Sequence, residues 1–218
     1  MKKDREIYTI GIVLLGNFNP SIITPFWLAH KGYIREIEAN TAIVEIIHPN
    51  ISRFSISDWL NIEATQQRID FKTNRESHIS VLRDLVVSVF NNLNETPIQA
   101  IGINHLSHFS LRNLDEYERL GYWLSPVQKF GSLLNKPKLQ SIQFRETVDE
   151  KKEGQITLTI SPSDLILDRK SVVFNINHHF DSKDKNTAQI IEILVKNWEN
   201  SFSLVNKLND LVWEKAQL

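Results

Sequence analysis

Apolar and polar positions along the chain follow two patterns, which indicate two kinds of secondary structure. Short β-branched or alternating runs predict β-strands, because alternation places successive side chains on opposite faces of a sheet. The predicted strands cover residues 7–15, 42–48, 53–59, 61–71, 98–109, 141–148, 155–161 and 172–180. We therefore expect a protein in which most of the core is built on sheet.

Longer stretches have the period of a helix. Between residues 77 and 93 the apolar residues recur three or four positions apart, at Ile79, Leu82, Val86, Val89 and Leu93. This spacing predicts a helix that turns one stripe toward a core. Residues 187–213 predict a second long helix, and residues 26–29 and 115–124 predict shorter ones. Asn113, with Glu116 three residues later, is the expected cap of the helix over 115–124.

The order of these elements is the same in the two halves of the chain. Residues 1–97 and residues 98–218 each contain strand, helix, three strands and helix, and the longest helix closes the second half. Consecutive strands of this kind are most simply joined antiparallel. The pattern predicts an α+β fold in one compact domain. Its antiparallel sheet is built from two pseudo-repeated halves, with the long helices packed on one face.

Composition limits the function classes. The 218 residues include 25 basic and 26 acidic side chains and no cysteine. The balanced charge excludes a strong general attraction to nucleic acid or anionic membrane, and the lack of cysteine excludes disulfides and thiolate chemistry. The apolar run at 10–15 is too short for a signal sequence or a membrane span. We expect a cytoplasmic protein with no membrane partner.

Motifs for catalysis are missing from the sequence. It has no G-x-S-x-G nucleophile motif and no glycine-rich phosphate loop, and its seven glycines are not spaced for binding a pyrophosphate. We predict no catalytic residue, no cofactor and no metal ligand. The question of enzymatic activity stays open at this point, with a non-enzymatic role favoured.

The sequence His178-His179-Phe180-Asp181 most resembles a metal site, and it suggests a metal-dependent hydrolase as one alternative function. Successive residues of a strand point to opposite faces, which argues against all three side chains reaching one metal ion. His178 shares a face with apolar neighbours, whereas His179 and Asp181 share the other face. We therefore expect His178 in the core and no metal bound.

The sheet face away from the long helices is the candidate binding surface. It is predicted to be polar, largely uncharged and rich in hydrogen-bonding groups. Its candidate residues are Arg68, Gln143, Arg145, Thr157, Thr159, Asn175, Asn177 and His179, with Arg53 as a further contact from the first half. Two interpretations stay open: a solvated sheet surface, or a recognition surface for a protein partner or a nucleic-acid strand.

The predicted C-terminal helix also offers candidates for partner binding. Trp198, Phe202 and Trp213 lie on or beside its apolar stripe, and tryptophan is enriched at the energetic centres of protein interfaces. One interpretation is a helix that covers its own sheet. The other is a helix that binds a protein partner or a second copy of the chain.

Two segments resemble those of a sporadically distributed family of uncharacterised bacterial and archaeal proteins with two α+β halves. Residues 67–72, Gln-Arg-Ile-Asp-Phe-Lys, are similar to that family's Arg-aromatic-Asn-Trp strand end, and residues 174–177, Phe-Asn-Ile-Asn, to its later aspartate-alternating strand. Asn175 and Asn177 stand where acids are usual, and no Asn-Trp pair follows Arg68. The resemblance implies an accessory protein without an assigned activity, such as one encoded with phage-defence genes.

The predicted topology is also similar to the saddle of the TATA-binding protein, as an analogy of fold alone. Taken together, the sequence favours a non-enzymatic interaction module, an accessory subunit of a bacterial assembly with a protein partner or a second copy. A nucleic-acid-binding module that uses the open sheet face is the second hypothesis. The metal-dependent hydrolase is the third.

Overall fold

The computed structural model describes residues 4–147, 154–182 and 186–216. Its strands are β1 (Ile7–Gly16), β2 (Ile43–His48), β3 (Ile51–Ile56), β4 (Leu60–Thr65), β5 (Arg68–Thr73), β6 (Ile98–Ser110), β7 (Ile142–Arg145), β8 (Gln155–Pro162) and β9 (Ser171–Asp181). Its α-helices are α1 (Pro25–His30), α2 (Glu36–Asn40), α3 (Ile79–Asn92), α4 (Leu114–Leu124) and α5 (Thr187–Lys215). Short 3-10 helices at Glu76–His78 and Val127–Phe130 precede α3 and follow α4.

The strands form one antiparallel sheet in the order β2-β3-β4-β5-β1-β6-β9-β8-β7. At its centre β1 pairs with β6, from Ile7 opposite His108 to Leu15 opposite Ala100. In each half the first strand also pairs with the last, so each half extends outward from this central pair. The predicted α+β class and antiparallel sheet are confirmed, while the pseudo-repeat stays a prediction.

The long helices α3 and α5 pack against each other and against the same face of the sheet. The strand residues that face them form two apolar cores, because every second residue of a strand points to the same side. One core lies under α3 and the first turns of α5 and includes Ile12 and Phe71. The other lies under the last turns of α5 and includes Phe174. Each such side chain contributes about 1.5–3 kcal/mol.

Asparagine side chains cap the first turns of α4 and α5. The Oδ1 atom of Asn113 accepts a hydrogen bond from the Glu116 backbone N–H at 2.9 Å, as the sequence predicts for the start of α4. Asn186 caps α5 in the same way, accepting from the N–H groups of Ala188 and Gln189. Each cap satisfies donors that have no partner within the helix.

The first half contains one strand more than expected. The predicted strand over 61–71 is wrong, because these residues form two strands, β4 and β5, joined by a tight turn in which the Thr65 Oγ1 accepts from the Arg68 N–H at 3.1 Å. The inward-facing residues change parity across this turn, from Ala64 in β4 to Ile69 in β5. A single strand cannot change parity without a bulge. The short helix α2 is also absent from the prediction.

The predicted strand over 141–148 corresponds to β7 (Ile142–Arg145), and position 148 lies outside the described residues. None of the helices in the described ranges is long and apolar enough to cross a membrane.

Two glycines provide a test of the close packing at the end of β1. A Cβ atom at Gly16 would lie 2.3 Å from the Pro97 carbonyl oxygen, whereas one at Gly121 would meet only Leu139, at an ordinary 3.5 Å. Gly16→Ala should lower the free energy of unfolding by about 1–3 kcal/mol, because backbone must move. Gly121→Ala, inside α4, should raise it by about 0.5–1 kcal/mol. Urea unfolding measures both, and equal stability of the two variants would contradict the central packing.

Candidate interaction surfaces

The sheet register brings the predicted polar residues of the second half onto the same face, opposite the helices. Neighbouring strands place these residues directly across from one another. The pairs are Gln143 with Thr159, Arg145 with Thr157, Thr159 with Asn175, and Thr157 with Asn177. His179 lies on the same face, opposite Gln155 of β8. We call this surface the open face, and its function in binding stays a prediction.

Hydrogen bonds join the polar side chains of the open face to each other. The Gln143 amide nitrogen donates to the Thr159 hydroxyl at 3.0 Å, and the Arg145 Nε donates to the Gln155 amide oxygen at 2.8 Å. These bonds hold long side chains flat along the sheet. A ligand on this face would have to compete with contacts that already exist.

Two asparagines and a glycine lie at the middle of the open face. The Asn177 side-chain nitrogen donates to the Asn104 amide oxygen, and this pair lies above Gly102. A methyl group at Gly102 would come within 2.9 Å of the Asn177 nitrogen, so glycine leaves the room that the amide pair needs. The predicted residue Asn177 is therefore part of a lateral polar pair.

In the first half, the cations of the open face are paired with acids. Arg68 and Lys72 both contact the buried carboxylate of Asp70, at 3.0 and 2.8 Å. Arg53 contacts Glu63 at 2.8 Å and lies 3.5 Å from a second carboxylate, that of Glu45. A phosphate group would have to displace these carboxylates. The charge pattern therefore gives the nucleic-acid hypothesis little support.

The two adjacent histidines of β9 point to opposite faces, as the alternation predicts. His178 is 3% exposed and lies on the helix face, whereas the ring of His179 on the open face hydrogen-bonds to Asp181 at 3.1 Å. Within the described ranges, no three histidine or acidic side chains lie close enough to hold a metal ion.

The tryptophans of α5 pack inward. Trp198 is 2% exposed and Trp213 is 1% exposed. Trp213 stacks on Phe174 of β9, with ring centroids 4.9 Å apart, and Phe202 is half-buried and contacts His105 edge-on. Both tryptophans contribute to the chain's own core, and a role of Trp198 and Trp213 in partner binding stays a prediction. The alternative interpretation, a helix that covers its own sheet, describes their positions.

The edge strand β2 is the surface that the sequence prediction missed. All six of its residues are exposed, including Ile43 (67%), Val44 (46%), Ile46 (40%) and Ile47 (46%). On one side β2 pairs with β3, and no strand of the described residues pairs with its other side. The β-branched run at 42–48 predicts a strand. Because a strand buried in the sheet and an exposed edge strand can have this same composition, the run does not predict the exposure.

A chain of buried polar groups lies where the two cores meet. The Tyr8 hydroxyl and the His105 Nδ1 are 2.6 Å apart, and the His105 Nε2 and the Ser201 hydroxyl are 2.8 Å apart. Burial lowers the pKa of His105 to about 3 and raises the pKa of Tyr8. Both groups are therefore neutral at physiological pH. These hydrogen-bonded groups hold α5 on β1 and β6.

No protein-family model matches this chain, and no curated protein matches it. The resemblance to a bacterial and archaeal family therefore stays a prediction, and function is argued from the geometry.

The low pKa of His105 predicts a loss of stability in acid. Between about pH 6.5 and 3 the unfolded histidine takes up a proton and the folded one does not, so stability falls as the pH falls. The expected slope from this group is about 1.4 kcal/mol per pH unit. Urea unfolding from pH 7 to 4 should show His105→Gln losing less stability than the wild type.

The matched control is His30→Gln, at an exposed position at the end of α1. It should follow the wild-type curve. A constant stability difference between wild type and His105→Gln over this pH range would show that His105 does not resist protonation in the folded chain.

Proposed function

We propose that this chain is a non-enzymatic interaction subunit, and that it joins another protein chain by strand addition at β2. The observation that carries the proposal is the row of four exposed β-branched apolar residues on an edge strand, one side of which pairs with no strand of the described residues. Such an edge offers both backbone hydrogen bonds and apolar side chains to an incoming strand. Membership of a larger assembly and a connection with phage defence are part of this proposal as expectations.

Edge strands usually carry features that prevent association, such as charged side chains, proline, a β-bulge or short length. In β2 the sequence is Ile-Val-Glu-Ile-Ile-His, without lysine or proline. It has one irregularity, at Glu45, between the pairs Val44 opposite Phe54 and Ile46 opposite Arg53. The Glu45 carboxylate is drawn to Arg53, on the open face. The apolar residues on each side of the bulge stay exposed.

The apolar residues of β2 lie on both faces of the sheet. Val44 lies opposite Phe54 on the helix side, whereas Ile46 lies opposite Arg53 on the open side. An incoming strand therefore has to be apolar on both of its faces. A second copy of β2 meets this requirement, so we choose a second copy of the chain as the occupant.

Antiparallel pairing of two β2 strands fits a two-fold axis perpendicular to the sheet, which is the symmetry of most dimers. It would keep the helices of both copies on one side. Covering the exposed half of one isoleucine contributes about 1 kcal/mol. The apolar residues of two strands would thus offset a large part of the association cost of about 4–15 kcal/mol. We expect a dimer that forms at micromolar concentration.

The two alternative functions have weaker support. A hydrolase site made of His178, His179 and Asp181 would need ligands from both faces of the sheet, since His178 lies on the helix face. A nucleic-acid surface would need cations that are free to contact phosphates, whereas Arg53 and Arg68 are paired with carboxylates. Neither alternative is adopted.

Sedimentation equilibrium of the full chain tests the proposal. We expect a dimer at about 50 µM that dissociates on dilution. Ile46→Lys should shift the equilibrium to monomer by at least tenfold in dissociation constant, because it places a charge at the centre of the paired edge. Its melting temperature measured well below the dissociation constant should stay within a few degrees of wild type, since the residue is exposed in the single chain.

Leu167→Lys is the matched control. Leu167 is 86% exposed, on the loop between β8 and β9, far from β2 along the sheet. This variant should dimerise as the wild type does. A wild-type chain that is monomeric at 100 µM, or an Ile46→Lys dimer of unchanged strength, would refute a second copy as the occupant of β2.

A further inference from the structure

The loop that joins α4 to β7 leaves bulky apolar side chains in solvent. Residues 128–136 of this loop are all exposed, and Leu133 among them is 89% exposed. The exposed apolar side chains of the loop and of the last turn of α4 are Tyr122, Trp123, Phe130, Leu133 and Leu134. We call these five side chains the apolar tip. Exposed apolar groups of this size mark contacts with another protein or with a membrane.

Contacts within the chain hold the loop beside α4. The Leu134 N–H donates to the Phe130 carbonyl oxygen at 2.8 Å, which closes a turn in the exposed run. Val127, just before this turn, is buried. At the far side of the run, the Lys138 ammonium pairs with the Glu118 carboxylate of α4 at 2.7 Å. Both ends of the exposed run are therefore fixed, and its apolar side chains stay in solvent.

The surroundings of the apolar tip are basic. Residues 119–145 contain five basic residues and no acidic one, whereas the rest of the chain contains 20 basic and 26 acidic residues. Two of the five, Lys129 and Lys136, lie in the exposed run. Neither has an ion-pair partner in the part of the chain that the structure describes. These two lysines are free to contact an anion.

The expectation of no membrane partner rests on the charge of the whole chain. The total of −1 hides the local surplus, because the acidic residues lie outside residues 119–145. Attraction to a charged surface depends on the side chains that come within about 10 Å of it, the screening length at 0.1 M salt. The local surplus is therefore the relevant quantity for the loop.

We propose that this loop binds the surface of a membrane that contains anionic lipids. The two lysines of the exposed run contact the lipid headgroups. Phe130 and the two leucines enter the boundary between headgroups and acyl chains, as apolar side chains of interfacial segments do. Trp123 lies at the headgroup level, where tryptophan and tyrosine are enriched.

The adjacent leucines favour a lipid over a nucleic acid as the partner. A single-stranded nucleic acid contacts cations through its phosphates and stacks its bases on aromatic rings. Neither contact would cover the exposed aliphatic side chains of Leu133 and Leu134. A membrane surface is anionic outside and apolar beneath, so it matches both the lysines and the leucines.

The loop is remote from β2. α4 lines a small pocket together with residues of β8 and β9, and these strands lie toward the other end of the sheet from β2. Membrane binding and dimerisation through β2 are therefore separate proposals, and either one can fail without the other.

Co-sedimentation of the full chain with vesicles tests membrane binding. Vesicles of one-third phosphatidylserine and two-thirds phosphatidylcholine should bind the chain at least tenfold more tightly than vesicles of phosphatidylcholine alone. Added salt should weaken the binding, since the lysines are exposed. Equal binding to the two kinds of vesicle, or no binding to either at millimolar lipid, would overturn the proposal.

Trp123 reports on insertion, because it is the exposed one of the five tryptophans. On binding to the mixed vesicles, its emission should shift to shorter wavelength, and lipids with brominated acyl chains should quench it. Trp123→Phe should still bind and should show neither effect. Emission that is unshifted and unquenched in the bound wild type would contradict insertion of the apolar tip.

Two variants with matched controls test the residues. Phe130→Ser and Lys129→Glu should each weaken binding to the mixed vesicles at least tenfold. Phe26→Ser and Lys31→Glu, at exposed positions in α1 and directly after it, should bind as the wild type does. All four variants should melt within a few degrees of the wild type, because these side chains are exposed.

A single-stranded DNA oligonucleotide separates a lipid from a nucleic acid as the partner. The chain should bind the mixed vesicles and leave the oligonucleotide unbound at micromolar concentration. Leu133→Ser should weaken vesicle binding. If the oligonucleotide binds as tightly as the vesicles and Leu133→Ser binds vesicles as the wild type does, the loop is a general anion-binding surface and the proposal is refuted.

Discussion

The pairing of β1 with β6 is the interaction on which the rest of the structure depends. It joins the first strands of the two halves, and every other strand is added outward from this pair. A slip of one residue would turn Ile10, Ile12 and Leu14 from the core to the open face, because strand residues alternate sides. The same slip would place Thr9, Gly11 and Val13 under the helices in their stead. The register of this one pair therefore decides which side chains fill the core.

The central pair also determines where α5 lies. Tyr8 comes from β1 and His105 from β6, and their hydrogen bonds continue to Ser201 on α5. Apolar contacts alone would allow a 29-residue helix to shift along the sheet at small cost. The hydrogen bonds among Tyr8, His105 and Ser201 would break with any such shift. These bonds therefore fix the helix at one position between the two cores. This requirement gives a structural reason for the burial of a neutral histidine at position 105.

The pattern of the sequence predicts well which face of its strand a residue lies on. It predicts poorly which strands and helices pack against one another. Alternation was sufficient to place Asn175, Asn177 and His179 on one face and His178 on the other, since parity is a local property. It failed over 61–71, where two strands of opposite parity are joined by a turn without glycine or proline. The burial of the α5 tryptophans depends on partners far along the chain, such as Phe174 for Trp213.

The exposure of β2 could not be predicted for the same reason. An apolar β-branched strand is equally suited to the middle of a sheet and to its edge, and only the strand order distinguishes the two cases. A cleft at one end of the central strands likewise combines residues near positions 5, 75 and 209. No local pattern connects these segments, and only the pairing of β1, β5 and β6 brings them together with α5.

The two edges of the sheet differ in a way that limits how copies can associate. The far edge, β7, has only four residues, and it presents Gln143 and Arg145 on the open face, both held by bonds to β8. Short length and polar side chains both weaken strand addition. If both edges were adhesive, the β2 edge of one copy would bind the β7 edge of the next, and head-to-tail contacts of this kind form open-ended fibres. Under the proposed strand addition at β2, the short polar β7 edge would not take part, β2 would pair with a second β2, and the assembly would close at two copies.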